Sequence, residues 1–305
     1  MNPDKYHGTI AERYDVERCH SLRWAREQLA VADFVRDGPV LDVPLGTGRY
    51  GEIYRERGFA VTGVDVSADM LAVASARYPE FATFQGSIFA LPYHDSDFAT
   101  AICTRLLDWL RPSEMQVAVA ELRRVARTIV ATIRHGHETI RVNQTHQLSA
   151  WYTAIDGLYI EDRRVTEITQ DGVEEMFRLR PPTWDDVLAQ FQHHGHTPYF
   201  EMQRIACEWF GHVQPSPETH RVTSTYWPAA DLVKVIDWMA SKHDATAEPE
   251  DHYRTDLPPR FEDGPVTLMR GGPQRRTIVL DGRRRINRWR GSPGLYPVLL
   301  IEWQR

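Results

Sequence analysis

The first residues with the types and spacing for chemistry are two glycines and a carboxylate. The apolar run Val40–Val43 predicts a short buried strand, and Gly46 and Gly48 follow it, ahead of a predicted helix. Glycine lets a ligand approach the backbone closely, and a helix start offers free N–H groups. Asp65 ends the next predicted strand, where a carboxylate can accept hydrogen bonds from ribose hydroxyls. The pattern predicts a nucleoside-containing ligand at the carboxyl ends of these two strands.

The glycine spacing alone keeps a dinucleotide among the candidate ligands. Gly51 follows Gly48 by three residues, so the Gly-x-Gly-x-x-Gly spacing of dinucleotide-binding folds is formally present. The segments outside the loop are therefore needed to choose between ligands.

Those segments resemble the class I S-adenosylmethionine-dependent methyltransferases over about residues 1–210. The family pattern acid-x-Gly-x-Gly-x-Gly appears as Asp42-Val43-Pro44-Leu45-Gly46-Thr47-Gly48, with Pro44 in place of the first glycine. The stretch 6–15 is similar to the family's leading helix, and 64–71 matches the segment after its second strand. Gln85-Gly86-Ser87-Ile88 falls where the family usually has Gly-Asp-Ala, with Ser87 replacing the acid. These matches favour S-adenosylmethionine over a dinucleotide.

The resemblance implies a role for each matching residue. Asp65 would bind the ribose, while Val66 and Met70 would flank the adenine. Gly46 and Gly48 would admit the methionine part. The complete set that it assigns to cofactor binding is Tyr6, Asp42, Gly46, Thr47, Gly48, Asp65, Val66, Met70, Ser87, Ile88, Thr104 and Arg105.

Three further side chains are candidates for the chemistry at a methyl acceptor. Methyl transfer from a sulfonium is an in-line displacement, and an oxygen acceptor also needs a base. His135 and His137 follow the fifth predicted strand, and Asp108 follows the fourth, where loops frame an acceptor pocket. We predict these three as catalytic residues; solvated loop side chains are the alternative. No metal site is predicted.

A second constellation lies around residue 280. Thr277–Leu280 predicts a strand, and Asp281 and Gly282 then lead into an arginine-rich helix, which suits an anion. Residues 226–305 resemble the ParB/sulfiredoxin superfamily, whose members bind nucleotide phosphates. The resemblance implies that Arg284 and Arg285 contact phosphate, that Asp281 serves as a metal or base residue, and that ATP and Mg²⁺ are candidate cofactors. A solvated basic helix is the alternative.

The elements that must position these residues alternate between strand and helix. The apolar strands predict an α/β fold with a parallel sheet and helices on both faces. The methyltransferase resemblance implies that this sheet is Rossmann-like, mostly parallel and seven-stranded. In the helix predicted over 20–35, the buried face is expected at Leu22, Ala25, Leu29 and Ala32. Asp171-Gly172 predicts a hairpin, and Thr197–Ile205 is interpreted as a later strand.

Breaks in the pattern predict two domains. The proline-rich stretch 214–217 separates a domain over 1–213 from a smaller, basic α+β domain over 214–305. Within the first domain, residues 135–160 show no clear period and are expected to form an insertion or lid.

Composition excludes several classes of protein. The 305 residues carry a net charge of −6, which argues against a protein whose whole surface binds nucleic acid. No stretch approaches the length of apolar residues that a membrane span needs. Three separated cysteines support neither a disulfide framework nor a zinc site, so a cytoplasmic protein is expected.

The favoured function is an S-adenosylmethionine-dependent methyltransferase for a small-molecule acceptor, fused to an Arg-rich phosphate- or nucleotide-binding module. One alternative is an ATP-dependent small-molecule kinase or nucleotidase in the C-terminal domain. Another is a nucleic-acid-modifying enzyme that contacts phosphates through the basic segment 270–290.

Overall fold

The chain divides into two compact units. The computed structural model describes residues 8–19, 21–136, 142–191, 198–211, 215–242, 264–271, 275–292 and 294–303. Unit 1 comprises Met1–Ile155 and Ile160–Arg180, and unit 2 comprises Asp156–Tyr159 and Pro181–Arg305. The sequence places the boundary later, at 213–214, because the proline-rich stretch is a stronger local signal than the connection at Arg180–Pro181.

Unit 1 contains the predicted seven-stranded sheet, in the order β3-β2-β1-β4-β5-β7-β6. The first five strands pair in parallel, whereas β7 runs antiparallel to β5. The two strands β6 and β7 flank the predicted Asp171-Gly172 hairpin. The strands are β1 (Val40–Asp42), β2 (Val61–Asp65), β3 (Ala82–Gln85), β4 (Phe98–Cys103), β5 (Ala126–His135), β6 (Tyr159–Thr169) and β7 (Gly172–Arg180).

Helices of unit 1 connect and cover these strands. Crossovers between parallel strands are right-handed. From β1, the chain adds β2 and β3 on one side and later β4 and β5 on the other side. Helices α3 and α4, which connect the first set, therefore lie on one face of the sheet, and α5, which connects β4 to β5, lies on the opposite face. The segment 135–160, expected as an insertion or lid, contributes α6, whose fully buried Trp151 packs against Phe177. The helices are α1 (Thr9–Arg18), α2 (Leu22–Phe34), α3 (Gly51–Glu56), α4 (Ala68–Arg77), α5 (Pro112–Val125) and α6 (Val142–Ala154).

Helix α2 buries a different face from the one predicted. Leu22 and Leu29 are 76% and 64% exposed, so the face predicted from the leucines is wrong. The buried positions recur at intervals of three, four and seven residues, as one stripe of a helix does. A carboxylate is among them: the buried stripe is Glu27, Ala30, Val31 and Phe34.

Unit 2 is built around a four-stranded sheet in the order β10-β9-β11-β8. Its core is a cluster of aliphatic side chains with Trp289 completely buried among them. The strands are β8 (His220–Pro228), β9 (Val266–Gly271), β10 (Arg276–Asp281) and β11 (Leu295–Trp303). The helices are α7 (Trp184–Phe191), α8 (Pro198–Phe210), α9 (Ala229–Ala240) and α10 (Arg283–Arg288).

Two elements of unit 2 differ from the sequence prediction. The strand predicted at 197–205 is wrong, because this stretch lies in helix α8, which buries Met202 and Ala206 one turn apart. Strand β8 was not predicted. Across the ranges that the structure describes, no helix has the length and apolar character needed to cross a membrane.

Candidate functional site

A cavity of about 480 Å³ lies at the carboxyl ends of β1, β2, β3 and β4 in unit 1. This is the edge at which ligands bind in open parallel sheets. Most of the side chains that the sequence assigned to cofactor binding line it. They are Gly46, Thr47, Asp65, Val66, Met70, Ser87, Ile88, Thr104 and Arg105.

Asp65 is anchored at the tip of β2. Its Oδ2 accepts the N–H of Gly46 at 2.8 Å, and its Oδ1 accepts the N–H of Ser67 at 2.9 Å. Burial raises the pKa of Asp65, although the N–H groups of Ser67 and Gly46 act in the opposite direction. Each carboxylate oxygen keeps acceptor capacity beyond one such bond. The side chain can therefore accept hydroxyl donors from a ligand without releasing the loop.

The glycines of the loop serve different purposes. Gly46 has φ +57°, and a Cβ built there meets no atom within 4 Å, so open space lies beside the cavity-lining backbone. A Cβ on Gly48 would lie 2.9 Å from the ring of Tyr78, and one on Gly51 would lie 2.3 Å from it. Tyr78 is fully buried and stacks on Phe81, so it has little freedom to move. Gly48, predicted to admit the ligand, does not line the cavity.

The third glycine, Gly51, is therefore explained by its packing against Tyr78 and does not need a bound pyrophosphate. The sheet also differs from that of dinucleotide-binding folds, which is parallel in the order 3-2-1-4-5-6. Here an antiparallel strand, β7, is inserted beside β5. These two observations favour a nucleoside ligand other than a dinucleotide.

The cavity is also lined by residues that follow β2 and β3 and by Tyr14 of α1. Met70 and Ile88 are both buried and both line it, while Ser87 accepts the N–H of Phe89 at 3.3 Å. The Thr47 hydroxyl donates to Asp15 of α1 at 2.7 Å.

Arg105 enters the cavity wall from the end of β4. Its backbone has φ +57°, and its N–H donates to the hydroxyl of Thr132 at 2.8 Å. The neighbouring Thr104 lies 3.3 Å, oxygen to oxygen, from the hydroxyl of Tyr50. The backbone of this strand end is thus fixed by side chains from β5 and from the glycine loop.

Sequence reasoning missed the partner of Arg105. Glu27 of α2 accepts Nε and Nη2 of Arg105 at 2.8 and 2.7 Å, and Nη1 of Arg49 at 2.6 Å. Arg23 adds a third guanidinium at 3.2 Å. The signal in the sequence that could have revealed this cluster is Glu27 itself, a charged residue at helical spacing from the apolar residues Ala30, Val31 and Phe34. Cavity residues to which the sequence gave no role include Tyr14, Arg49, Tyr50 and Glu114.

Asp42 does not line the cavity, contrary to its predicted role. It is 1% exposed, its Oδ2 accepts the hydroxyl of Tyr54 at 2.8 Å, and its Oδ1 has no partner in the part of the chain that the structure describes. Burial raises the pKa of Asp42 to about 8. The end of β1 is covered by α3, so this carboxyl contacts protein instead of the cavity.

The predicted catalytic residues are not brought together at the cavity. His135 is not part of its lining, and both ring nitrogens face acceptors: Nε2 lies 2.8 Å from Glu175 and Nδ1 lies 3.0 Å from the carbonyl of Gly136. Burial acts to lower the pKa of His135, but Glu175 outweighs it and raises the pKa. A raised pKa favours the protonated ring, which is a poorer base than the neutral one. Asp108 is also absent from the lining, and burial raises its pKa.

Two predicted residues, Tyr6 and His137, lie outside the described residues.

In unit 2 the structure brings Asp281 and Arg285 together as an ion pair one helical turn apart. Arg285 also donates to the backbone carbonyl of Pro265. The guanidinium predicted to contact phosphate is therefore already engaged within its own unit. Arg284 lies in the short helix α10.

Part of this sheet is similar to known methyltransferases. Residues 40–128 match the family model described as a methyltransferase domain. Malonyl-[acyl-carrier protein] O-methyltransferase of Erwinia billingiae is 30% identical over 150 residues, 49% of this chain and 57% of its own length. Demethylmenaquinone methyltransferase of Renibacterium salmoninarum is 32% identical over 136 residues, 41% of this chain and 56% of its own length. The chain thus spans little more than half of each relative.

Among solved structures, one that is similar is magnesium protoporphyrin IX methyltransferase from Synechocystis PCC 6803, with bound S-adenosylmethionine. The two chains superpose with a TM-score of 0.46 and are 16% identical. The superposition covers 58% of this chain and 94% of that chain. Within unit 1, the residues that match the methyltransferase domain, 40–128, include β1 to β4, whose carboxyl ends surround the cavity.

Proposed function

We propose that the chain transfers a methyl group from S-adenosylmethionine to a small-molecule acceptor. The observation that carries the proposal is the carboxylate of Asp65, bonded to the N–H of Gly46 at the tips of β1 and β2 inside a cavity. The curated relatives support the same reaction class, because both are named as methyltransferases.

The residues present fit a sulfonium nucleoside. Asp65 holds the ribose hydroxyls, and the apolar side chains of Val66, Met70 and Ile88 suit the faces of an adenine. Gly46 leaves open space beside the backbone, which a bulkier residue would fill. When bound, S-adenosylmethionine supplies a methyl group on a positively charged sulfur, the carbon that an acceptor atom attacks in line.

The acceptor is expected at the part of the cavity that follows β4. Leu106, Trp109 and Leu110 line it there, and Trp109 is 66% exposed, so an apolar surface lies open to an incoming molecule. The role of this wall is to hold the acceptor atom in line and to exclude water. Malonyl-[acyl-carrier protein] and demethylmenaquinone, named for the relatives, are candidate acceptor types.

Calorimetry with S-adenosylhomocysteine tests the proposal. Asp65→Ala should weaken binding by about 1–3 kcal/mol, the range for losing hydrogen bonds to a charged group. Asp33→Ala is a matched control, because Asp33 lies on α2 in a surface ion pair with Arg164 and does not line the cavity. Equal affinity of the wild type and Asp65→Ala would contradict the proposal.

The phosphate-binding role of unit 2 stays a prediction. The ion pair of Asp281 with Arg285 does not favour it, and we propose no kinase, nucleotidase or nucleic-acid function. Phosphate release from ATP with Mg²⁺ by the full chain, lost in Arg285→Ala, is the result that would revive it.

A further inference from the structure

Glu27 is a fully buried carboxylate that is surrounded by guanidinium groups. It is 0% exposed and accepts hydrogen bonds from Arg23, Arg49 and Arg105, at distances from 2.6 to 3.2 Å. Burial acts to raise the pKa of Glu27, but the hydrogen bond from Arg105 and the charges of the three arginines outweigh it and lower the pKa. Buried ion clusters are weak evidence for stability, since apolar side chains often serve as well. The cluster therefore calls for another explanation.

The three arginines differ in where they face. Arg23 is shared with the carboxylates of Glu174 and Glu167, and it does not line the cavity. Arg49 and Arg105 both line it. Glu27 thus connects an ion-pair cluster away from the cavity to two guanidiniums that line the cavity.

Each cavity arginine is bound to Glu27 by one edge only. Arg105 uses Nε and Nη2, which leaves Nη1 outside this pair. Arg49 uses Nη1, and its Nη2 lies 3.5 Å from the hydroxyl of Tyr14. A guanidinium has five N–H donors in a planar fork that matches a carboxylate. Donors remain on both side chains for a ligand.

Both guanidiniums are also held in place by their surroundings. The Arg49 side chain is 8% exposed, and its guanidinium carbon lies 4.3 Å from the ring centroid of Trp24. The Arg105 side chain is 15% exposed and extends from a strand end that Thr132 fixes. Donors that are already ordered lose little conformational entropy when an anion binds.

Resting on the proposed function, we infer that Glu27 is a positioning residue that fixes Arg49 and Arg105 as a binding site for a carboxylate. Two carboxylates can reach this wall: that of the methionine part of the cofactor, and one on the acceptor. The chemistry of recognition is the same for both, a planar anion against arginine forks.

The test measures selectivity rather than affinity alone. Glu27→Gln keeps the shape of the side chain and removes its charge. S-adenosylhomocysteine and 5′-methylthioadenosine share the nucleoside, but only the first has the amino-acid part. We expect Glu27→Gln to weaken S-adenosylhomocysteine about tenfold in calorimetry, the scale of one charged hydrogen bond, and 5′-methylthioadenosine less than about twofold.

Glu161→Gln is the matched control. Glu161 also binds several arginines, with Arg180 at 3.1 Å and Arg36 at 3.7 Å, but it does not line the cavity. Its substitution should change neither ligand's affinity. If Glu27→Gln weakens both ligands equally, Glu27 is merely structural and the inference is overturned.

A second arm identifies an acceptor carboxylate. If Glu27→Gln leaves both nucleosides unaffected, succinate is titrated into the protein saturated with S-adenosylhomocysteine. Binding to the wild type that is lost in Glu27→Gln would place the carboxylate on the acceptor. Absence of succinate binding to the wild type, or equal binding to both proteins, overturns the inference.

A milder variant covers the case that Glu27→Gln does not fold. Arg49→Lys keeps the charge but removes the fork, and should reduce the same selectivity. Failure of the proposed function is distinguishable from failure of this inference, because the wild type would then bind neither nucleoside.

Discussion

Each unit contains a carboxylate–arginine cluster, and the two clusters differ in what their arginines contact. In unit 1, Glu27 is completely buried and orders guanidiniums that line a cavity. In unit 2, Asp281 pairs with Arg285, which also donates to the Pro265 carbonyl. In the more arginine-rich segment, Arg285, which was predicted to bind phosphate, therefore already has partners within the protein. For anion binding, what matters in either unit is whether donors of the arginines remain on the side that faces a ligand.

The largest expected difference is in stability. Glu27→Ala removes the buried carboxylate that Arg49 and Arg105 share, while Arg23 keeps Glu174, and should lower the free energy of unfolding by about 3–5 kcal/mol. Asp281→Ala should cost only about 1–2 kcal/mol, since Arg285 keeps the carbonyl of Pro265. Urea unfolding monitored by circular dichroism measures both. Equal losses would show that the two carboxylates are equivalent and would remove the contrast.

Asp42 extends the comparison to a buried carboxyl that no arginine among the described residues bonds. Its hydrogen-bond partner is the Tyr54 hydroxyl. Burial raises its pKa from 3.8 to about 8. Between those values the folded state holds a proton that the unfolded chain releases, so this group's contribution to stability falls as pH rises. The slope is at most about 1.4 kcal/mol per pH unit.

Unfolding of the wild type and Asp42→Asn at pH 5 and pH 7.5 measures this effect. The variant should gain stability relative to the wild type at the higher pH. A difference that does not change with pH would contradict the raised pKa.

Ligand binding gives the next effect. Arg105→Lys should weaken S-adenosylhomocysteine about tenfold, because lysine cannot reproduce the arginine fork. Arg285→Lys is the corresponding change in unit 2 and should alter the affinity by less than about twofold. Fluorescence titration of both variants measures it. A comparable loss in Arg285→Lys would mean that unit 2 takes part in binding this ligand.

The smallest effect is expected at the exposed pair of Arg290 and Asp237 in unit 2. Their side chains are 44% and 57% exposed, and the closest contact is 2.7 Å. Asp237→Asn should change the free energy of unfolding by less than about 0.5 kcal/mol, since water screens such pairs. Thermal unfolding of the variant beside the wild type is the measurement. A loss as large as that of Asp281→Ala would show that exposure does not separate the two pairs.

Local sequence signals located the side of the cavity that the glycine loop and Asp65 line. A strand, a glycine turn and Asp65 at the end of the next strand are close in the chain, and each has a recognisable residue type. Ser67 directly precedes α4 and has a residue type that caps helices; its side chain accepts the N–H of Met70 at 3.3 Å. The parallel part of the sheet followed from the alternation of apolar runs with helices.

The arginine wall could not be found in the same way. Glu27 lies 22 residues before Arg49 and 78 before Arg105, so the contacts depend on the finished sheet. Only Arg23 is a local partner, and an i, i+4 pair of this kind normally indicates a solvated helix face. Helix α8 was mistaken for a strand because its first residues, including Tyr199 and Phe200, are aromatic.

The ring of Tyr78 has a consequence for sequence variation in this domain. It fills the volume that side chains at 48 and 51 would occupy. A larger residue at position 51 is therefore tolerated only together with a smaller one at 78, so the two positions should covary as a pair. In that case Gly51, the third glycine of the motif, depends on the size of the side chain at 78. Its replacement in a homologue would then carry no information about the ligand.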